Sequence, residues 1–546
     1  MKITLAQLNF HVGNFESNTA KIIAASKQAV AAGADLIVFS ELSICGYPAR
    51  DFLNYPHFIA QCQQALQQIA NANINIGILV GAPVPNTVPQ GKDLYNAAVF
   101  IHEGVIKQVF HKTLLPTYDV FDEYRYFEPN RNFELLHFKG KKIAVTICED
   151  IWNVGNENPL YTIAPLDELA SLQPDFIVNL SASPFSYLQH EERLKVLQAN
   201  VQRYGIPMVY VNQIGAQTEL IFDGGSMVMQ TNGRIGTQLP FFKEAIQTIT
   251  LTESGSHFSE LLDNSHSTIE RIYNALVLGI RDYFTKLGFN KAILGLSGGI
   301  DSAVVLCLAV EALGKENVMN LLLPSQFSSQ HSIDDALQLC SNLGVAHETI
   351  SIQPVFDTLR QQTQPFFQNL PFNIAEENMQ ARSRGILLMA FSNKLGYILL
   401  NTTNKSEAAV GYGTLYGDMC GGLSVLGDVY KTQVYALAHY INRSKEIIPQ
   451  NIIQKAPSAE LRPNQKDADS LPDYNLLDKV LTAYIEDCKG IDQILKDGFD
   501  ETVVKRILRM VNMNEWKRFQ APPVLRVSPK AFGIGRRMPI EGKYLS

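Results

Sequence analysis

The feature that most constrains the fold is a glycine loop in the second half of the chain, at residues 296–302 (LSGGIDS). An apolar run at 292–296 leads into it and predicts a buried strand, and an apolar helical pattern follows over 303–313. This arrangement can hold phosphate, because backbone N–H groups turn toward the anion and the helix dipole adds partial positive charge. The loop lacks the Gly-Lys-Ser/Thr ending of a Walker A motif. An ordinary strand-turn-helix with two glycines is the alternative interpretation.

Length and composition exclude several classes of protein. The 546 residues predict at least two large domains, and 46% hydrophobic with 18% charged residues is typical of a globular protein. The net charge of −7 argues against a nucleic-acid partner. No apolar run reaches membrane-spanning length and no signal peptide is apparent, so we expect no membrane contact. Seven cysteines without a CxxC pair disfavour a zinc site or a disulfide framework and predict a reducing cytoplasm.

Residues 1–250 alternate between strand and helix patterns, which predicts an α/β layered domain. A helix is predicted over 18–32, and Glu103-Gly104 and Asn232-Gly233 are typical of hairpin turns. Strands are predicted near 2–8, 35–41, 76–81, 96–102, 143–148, 175–180 and 208–212.

Three reactive residues follow strand-like runs in this domain, namely Glu41, Lys112 and Cys148. Because strand ends can deliver side chains to a common rim, we expect the three to converge. A carboxylate can accept the thiol proton, the thiolate can attack an amide carbonyl, and an ammonium can stabilise the oxyanion. The products are a thioester and ammonia, and water then releases the acid. Singly, each residue is more simply interpreted as a buried thiol or a solvated charge.

The contexts of these residues resemble the nitrilase superfamily. The matching segments are 39–42 (FSEL) with 46–48 (GYP), 111–116 (HKTLLP) and 147–152 (ICEDIW). The resemblance implies a four-layer αββα sandwich, with Cys148 as nucleophile, Glu41 as general base and Lys112 as oxyanion stabiliser.

The glutaminase members of this superfamily suggest which residues contact the amide substrate. By that resemblance, Tyr118 and Ser183 contact glutamine. Many relatives carry a basic residue six positions after that serine, where this chain has Gln189. We expect Gln189 to hydrogen-bond the α-carboxylate in place of a salt bridge, with His190 or Arg193 as alternative compensating residues.

A second domain is predicted at 268–546, after a linker at 251–267 that is rich in small and polar residues. Strands at 292–296, 318–323, 348–352 and 397–400 alternate with helices at 269–287, 332–343 and 375–395, which predicts a doubly wound parallel sheet. Ligands bind such sheets at the carboxyl ends of the strands, where Ser297 and Thr402 lie.

Two acids are predicted to bind Mg²⁺, namely Asp301 and Glu407. A triphosphate needs charge neutralisation, and Mg²⁺ takes one or two protein carboxylates together with phosphate oxygens. The alternatives are a first-turn helical acid for Asp301 and a surface acid for Glu407. Lys431 is predicted to balance phosphate charge, or else to be a surface lysine at a helix start.

The second domain resembles the ATP pyrophosphatases through its glycine loop and the NAD synthetase family through much longer segments. These segments are 377–382 (ENMQAR), 411–418 (GYGTLYGD), 427–432 (GDVYKT), 455–461 (KAPSAEL), 516–518 (WKR) and 528–533 (SPKAFG). The resemblance implies ATP contacts at Gly295, Leu296, Ser297, Gly298, Gly299, Ile300, Asp301, Ser302, Thr402 and Lys431. It implies contacts to deamido-NAD at Asn378, Glu407 and Lys517. Single-domain relatives often carry Lys at the position of Leu415, where this chain departs.

Together the two domains resemble, in order, the glutamine-dependent NAD synthetases. The resemblance implies a homo-oligomer that uses deamido-NAD, MgATP and L-glutamine as small-molecule substrates, and the cysteine pattern predicts that it is cytoplasmic. Another glutamine amidotransferase of the ATP-pyrophosphatase class remains an alternative, as does a non-catalytic nucleotide sensor. Pyrophosphate release from ATP with deamido-NAD as sole acceptor distinguishes them.

Overall fold

A computed structural model describes residues 1–252, 255–256, 266–368, 370–463 and 465–544. The chain divides into two compact units, Met1–His266 and Ser267–Ser546. Residues 253–254 and 257–265 of the predicted linker lie outside the described residues, so the linker remains a prediction. Within the described part of the chain, no helix has both the length and the apolar character needed to cross a bilayer.

Most strands of the first unit form two large sheets. Its elements are β1 (Lys2–Gln7), α1 (Phe15–Ala31), β2 (Leu36–Val38), α2 (Pro56–Asn71), β3 (Gly77–Pro85), β4 (Leu94–His102), β5 (Val105–His111), β6 (Leu136–Phe138), β7 (Lys141–Ile147), α3 (Pro165–Ser171), β8 (Phe176–Ser181), α4 (Gln189–Tyr204), β9 (Met208–Asn212), β10 (Ile214–Gln217), β11 (Leu220–Asp223), β12 (Met227–Met229), β13 (Ile235–Gln238), β14 (Ala245–Thr252) and β15 (Gly255–Ser256). One sheet has the order β15-β14-β1-β2-β3-β4-β5 and the other β13-β12-β9-β8-β7-β6. Strands β10 and β11 form a separate pair.

Alternation along the central strands creates four layers. On β2, Leu36 and Val38 lie in the core between the two sheets, whereas Ile37 faces the core under α1 and α2. On β7, Val145 faces the inter-sheet core, and Ala144 packs in the core with α3 and α4. Successive side chains of a strand point to opposite faces, so each sheet is covered on both sides. The predicted αββα sandwich is confirmed.

The second unit is built on a parallel sheet. Its elements are α5 (Thr268–Leu287), β16 (Ala292–Gly295), α6 (Ile300–Leu313), β17 (Val318–Leu322), α7 (Gln330–Leu343), β18 (Ala346–Thr349), α8 (Gln353–Phe367), α9 (Ile374–Leu395), β19 (Ile398–Asn401), α10 (Lys405–Val410), β20 (Leu423–Ser424), α11 (Lys431–Ile441), α12 (Gln450–Gln454), α13 (Tyr474–Leu481), α14 (Ile491–Lys496), α15 (Glu501–Met513) and α16 (Glu515–Arg518). The strand order is β18-β17-β16-β19-β20, and every pairing between neighbours is parallel. The predicted doubly wound parallel sheet is confirmed.

The strand order places a binding crevice at one position. The chain adds β17 and β18 on one side of β16, then β19 and β20 on the other. At such a reversal the loops that leave the two central strands diverge and open a crevice at the carboxyl ends. The glycine loop leaves β16, and residues 402–404 leave β19.

Candidate functional site

In the first unit, Cys148 lies at a tight turn directly after β7. It opens a short 3₁₀ helix, Cys148–Ile151, with φ of 43°, and it is buried. The Asp150 carboxylate accepts hydrogen bonds from the backbone N–H groups of Thr113 (2.9 Å), Leu114 (2.8 Å) and Ile147 (2.9 Å). Burial raises the pKa of Asp150 to about 6, although these N–H donors oppose the shift. One carboxylate thus ties the turn at Cys148 to the chain that follows Lys112.

Lys112 lies between two buried carboxylates. Its Nζ donates to Glu41 Oε1 at 2.7 Å and to both oxygens of Glu123, at 2.9 and 2.8 Å. Asn96 Nδ2 also donates to both acids, at 2.7 Å to Glu41 and 3.3 Å to Glu123. The lysine and Glu41 are each 0% exposed. Such charges are tolerated without water only when they are paired and hydrogen-bonded, as they are here.

Glu123 was not predicted from the sequence. It begins a short 3₁₀ helix, Glu123–Arg125, in a stretch without helical or strand periodicity. The only available signal is the run of acids at Asp119, Asp122 and Glu123, which follows the segment that contains Lys112. Nothing in that run distinguishes the one acid that turns inward.

The electrostatics of this cluster set the protonation states. Burial raises the pKa of Glu123 to about 7, although Lys112 opposes the shift. Burial disfavours the charge on Lys112, but Glu123 and Glu41 outweigh it and hold the lysine pKa well above its usual value. Burial, followed by the charge of Glu41, raises the pKa of the Cys148 thiol well above its usual value. The thiol is therefore protonated at rest, and attack requires a nearby base to take its proton.

Two tyrosines donate hydrogen bonds to Glu149, the acid next to Cys148 in the chain. Tyr118 Oη donates to Glu149 Oε1 at 2.9 Å, and Tyr161 Oη donates to the same oxygen at 2.6 Å. Burial raises the pKa of Glu149, and both tyrosines oppose that shift. Tyr118 was predicted to contact substrate and is 40% exposed, whereas Tyr161 was not predicted.

The other two predicted glutamine contacts have different surroundings. Ser183 is buried, and its Oγ accepts from Arg193 Nη2 at 3.4 Å. Arg193 is itself ion-paired with Asp223 at 3.1 Å, with both side chains buried. The charge of Arg193 is therefore already balanced by Asp223. Arg193 holds Ser183 in place and does not offer a free basic group to a ligand. Gln189 is half-buried at the first position of α4.

In the second unit, the glycine loop has the form expected of a phosphate site. Gly298 has φ of 76°, and a Cβ there would lie 2.1 Å from the carbonyl oxygen of Ser332, so only glycine fits. Gly299 N-caps α6, and its N–H donates to Ser297 Oγ at 3.2 Å. Ser302 Oγ donates to the carbonyl of Gly299 at 3.0 Å and closes the turn.

Asp301 and Glu407 converge on one ammonium group. Lys431 Nζ donates to Asp301 Oδ2 at 2.5 Å and to Glu407 Oε1 at 3.3 Å. Burial disfavours the charge on Lys431, but Asp301 and Glu407 raise its pKa above the usual value. Burial raises the pKa of Glu407 to about 8, with Lys431 opposing and Asp301 and Asp467 adding to the shift. Asp467 was not predicted; it accepts hydrogen bonds from Tyr412 and Tyr474.

The pair of acids fits a magnesium ion bound together with a nucleotide. Hard carboxylate oxygens that already face the same cationic group are the donors that Mg²⁺ takes alongside phosphate oxygens. Among the residues that the structure describes, no cluster of three or more His, Cys, Asp or Glu side chains forms a complete protein-only site. The arrangement suits a cation that arrives with its phosphate ligands.

The remaining predicted positions lie around the same crevice and a glycine segment beyond it. Thr402 directly follows β19 and is half-buried. Asn378 Oδ1 accepts from Thr414 Oγ1 at 2.7 Å, and Lys517 Nζ donates to the carbonyls of Gly411 (2.9 Å) and Gly413 (3.1 Å). Burial lowers the pKa of Lys517. Asn378 and Lys517 thus both contact the segment at 411–414.

Comparison with known proteins covers both units. A profile of the carbon-nitrogen hydrolase family matches residues 2–256, and a profile of the NAD synthase family matches residues 272–521. The chain is 48% identical to the glutamine-dependent NAD(+) synthetase of Synechocystis sp., over 98% of each chain. It is 40% identical to the enzyme of that name from Thermotoga maritima, over 100% of this chain and 99% of the other.

Solved structures agree over the full length. A glutamine-dependent NAD+ synthetase from Acinetobacter baumannii, in complex with ADP, superposes with a TM-score of 0.79 at 39% identity, covering 99% of this chain and 98% of that one. One from Cytophaga hutchinsonii has a TM-score of 0.84 at 19% identity, covers 100% and 98%, and supports the fold alone. Identity of this level over nearly the whole length confirms the resemblance found in the sequence. This chain belongs to the family of glutamine-dependent NAD(+) synthetases.

Proposed function

We propose that this chain converts deamido-NAD, ATP, L-glutamine and water to NAD, AMP, diphosphate and L-glutamate. The observation that carries the proposal is that one chain holds both a Cys-Glu-Lys cluster and a glycine-loop site with two converging acids. A glutaminase and an adenylating site in one polypeptide are the two halves needed for a glutamine-dependent amidation. The family membership of the chain supports the same reaction.

In the first half-reaction, Cys148 is the nucleophile. Glu41 takes the thiol proton as Sγ attacks the side-chain carbonyl of glutamine. Lys112, held by Glu123, stabilises the oxyanion. The Glu41 proton passes to the leaving nitrogen, so ammonia departs and a thioester remains. Water, deprotonated by Glu41, then attacks the thioester and releases glutamate and the thiol.

Three further residues of the first unit are proposed to bind the glutamine substrate. We assign Tyr118 and Ser183 to contacts with the substrate, the former because it is part-exposed beside Glu149 and the latter because Arg193 braces it. Gln189 is assigned to the α-carboxylate, since it is half-buried at the start of α4. The balanced Arg193–Asp223 pair leaves Gln189 the better candidate than Arg193.

In the second half-reaction, the nicotinate carboxylate attacks the α-phosphorus of ATP and pyrophosphate leaves. Gly295 through Ser302, with Thr402 and Lys431, are assigned to ATP. The N–H groups of the glycine loop and the start of α6 hold the phosphates. Ammonia then attacks the adenylate carbonyl and AMP departs, which leaves the carboxamide.

Asp301 and Glu407 would hold Mg²⁺ in this site. The ion supplies charge neutralisation for the triphosphate and the departing pyrophosphate. Lys431 shares the same two acids and adds positive charge near the phosphates. Asn378, Glu407 and Lys517 are assigned to deamido-NAD, because the first and last contact the glycine segment at 411–414 beside the crevice.

We further propose a cytoplasmic homo-oligomer that acts on small molecules, without a nucleic-acid or membrane partner. The net charge of −7 supports the absence of nucleic acid, because such partners require a basic surface. All seven cysteines are free thiols in the described chain, which fits a reducing compartment. Sedimentation analysis of the purified chain tests the assembly.

The decisive experiment measures pyrophosphate and NAD with each nitrogen donor in turn. Folded protein given ATP, Mg²⁺, ammonium and deamido-NAD should release pyrophosphate and form NAD. Cys148→Ala should lose glutamine-driven synthesis and retain ammonium-driven synthesis at mildly alkaline pH, where more neutral ammonia is present. Cys62→Ala, at another buried cysteine of the same unit, is the control and should keep both. No pyrophosphate release with deamido-NAD in folded wild-type protein would reject the proposed reaction.

A further inference from the structure

Asn404 joins the two proposed magnesium ligands. It is 0% exposed and is the N-cap residue of α10. Its Oδ1 accepts the backbone N–H of Glu407 at 3.0 Å, and its Nδ2 donates to Asp301 Oδ1 at 2.8 Å. A backbone N–H must meet an acceptor, so the amide oxygen faces Glu407 and the amide nitrogen faces Asp301.

This contact spans the crevice at the reversal of strand order. Asp301 follows the loop from β16, and Asn404 ends the loop from the adjacent parallel strand β19. Between these segments the amide is a short neutral link that donates at one end and accepts at the other. Serine can serve as the N-cap acceptor, but its side chain is too short to reach Asp301 as well. Aspartate at this position would place a second carboxylate against Asp301.

The link also fixes the orientation of the Asp301 carboxylate, which lies between two donors. Oδ1 accepts from Asn404, while Oδ2 is paired with Lys431. The side chains of Asp301 and Glu407 are 18% and 16% exposed, so solvent reaches both. The carboxylates of Asp301 and Glu407 repel each other when both are charged. The buried Asn404 amide holds Asp301 through its carboxylate and Glu407 through its backbone N–H.

We propose that Asn404 is a positioning residue that sets the geometry of Asp301 and Glu407 for the Mg²⁺ of MgATP. The inference rests on the proposed function of this site, in which both acids bind the metal. In this role Asn404 acts through the two acids that its amide contacts. Residues that orient metal ligands by hydrogen bonds commonly change metal affinity or activity by about 10–100-fold when replaced.

Two variants separate this role from helix capping. Asn404→Ser keeps an N-cap acceptor and removes the donor to Asp301, since Ser ranks with Asn at this position. Asn404→Ala removes both. Asn14→Ser is the matched control: Asn14 N-caps α1 in the first unit, where its side chain accepts from the N–H of Ser17 at 3.2 Å and has no part in the site. Asp301→Asn tests the metal assignment itself.

The assay measures binding of Mn²⁺, as a spin-active substitute for Mg²⁺, to the full chain with α,β-methylene-ATP by electron paramagnetic resonance. We expect Asn404→Ser to raise the Mn²⁺ dissociation constant by about 10-fold or more. It should leave the thermal midpoint near that of the wild type, and Asn14→Ser should leave the dissociation constant unchanged. Asn404→Ala should show the same loss of Mn²⁺ affinity and, in addition, a lower thermal midpoint.

The outcomes distinguish the inference from its basis. If Asp301→Asn weakens Mn²⁺ binding and Asn404→Ser binds Mn²⁺ as tightly as the wild type, the proposed role of Asn404 is wrong and the metal assignment stands. Unchanged Mn²⁺ binding in Asp301→Asn overturns the metal assignment and with it the inference. If the thermal midpoint falls as far in Asn404→Ser as in Asn404→Ala, the role of Asn404 is purely structural and the proposal is wrong.

Discussion

Replacing Lys112 by methionine tests the charge cluster of the first unit most severely. The side chain is 0% exposed and makes three hydrogen bonds of 2.7 to 2.9 Å to Glu41 and Glu123. Methionine keeps much of the volume but leaves two buried acids without their shared cation. Removing one partner of a buried ion pair costs about 3–5 kcal/mol. At about 2–4 °C per kcal/mol for a unit of this size, the unfolding midpoint should fall by roughly 6–20 °C.

The loss of stability should depend on pH in a stated direction. Glu123 has a pKa of about 7, raised by burial and held down by Lys112, so the variant should raise it further. At pH 5 the Glu123 carboxyl is protonated in both proteins, and the loss of the lysine costs less. At pH 8 it is ionised in the wild type, and the full cost of the missing cation applies. The difference in midpoint between wild type and variant should therefore widen from pH 5 to pH 8.

The same variant should separate the two activities. Loss of an oxyanion-stabilising donor costs about 10²–10³-fold in kcat, so glutamine-driven synthesis should fall by at least that factor. Ammonium-driven synthesis should continue. Lys107→Met is the control, because Lys107 lies on β5, the strand that Lys112 directly follows, but its side chain is 42% exposed and pairs at 3.0 Å with the exposed Glu103. A Lys112→Met protein with an unchanged, pH-independent midpoint, or with glutamine-driven activity within 10-fold of wild type, would refute the argument.

Three further predictions follow from the remaining charged groups. Glu123→Gln should lower glutamine-driven kcat by about 10-fold or more, since Lys112 loses a charged partner that keeps it positioned; ammonium-driven activity is the internal control. Lys431→Met should raise the KM for MgATP in the ammonium-driven reaction and leave glutamine hydrolysis unchanged, and loss of both activities would contradict the assignment. Glu407 has a folded pKa of about 8 against 4.5 unfolded, so the folded state binds more protons between these values and stability falls as pH rises through them. Glu407→Gln should remove that fall, and urea denaturation from pH 5 to 9 measures it.

The α/β class of both units could be predicted from the sequence because apolar strand-like runs alternate with helical patterns, whereas the four layers of the first unit were implied by its resemblance to the nitrilase superfamily. The strand predicted at 35–41 is observed as Leu36–Val38, and the helix predicted at 375–395 as Ile374–Leu395. Helix α8, Gln353–Phe367, was not predicted: it carries Pro365 inside and buries only Phe356 fully. Pro354 at its start and Pro365 near its end are typical of loops and obscured the helical pattern.

From the residues alone, the candidate sites were predictable where a reactive residue ends a strand or belongs to a glycine loop, whereas Asn378 and Lys517 were implied by the family resemblance. Glu41, Lys112 and Asp301 stood out for that reason, and the structure places each in a charged cluster. Glu123 and Asp467 lie in aperiodic loops, and their inward direction depends on tertiary contacts with Lys112, Tyr412 and Tyr474 that are distant or unpatterned in sequence. Sequence spacing identifies reactive residue types but does not identify which acids turn inward from a loop.

The two sites share one motif with different access to solvent. In each, a buried lysine lies between two acids: Lys112 with Glu41 and Glu123, and Lys431 with Asp301 and Glu407. The acids of the first cluster are 0% and 6% exposed, so its charge balance is closed and suits proton transfer within a fixed set of groups. Those of the second are 18% and 16% exposed. That exposure lets a hydrated cation that arrives with the phosphates of ATP reach both carboxylates, whereas the acids around Lys112 are closed to such an ion.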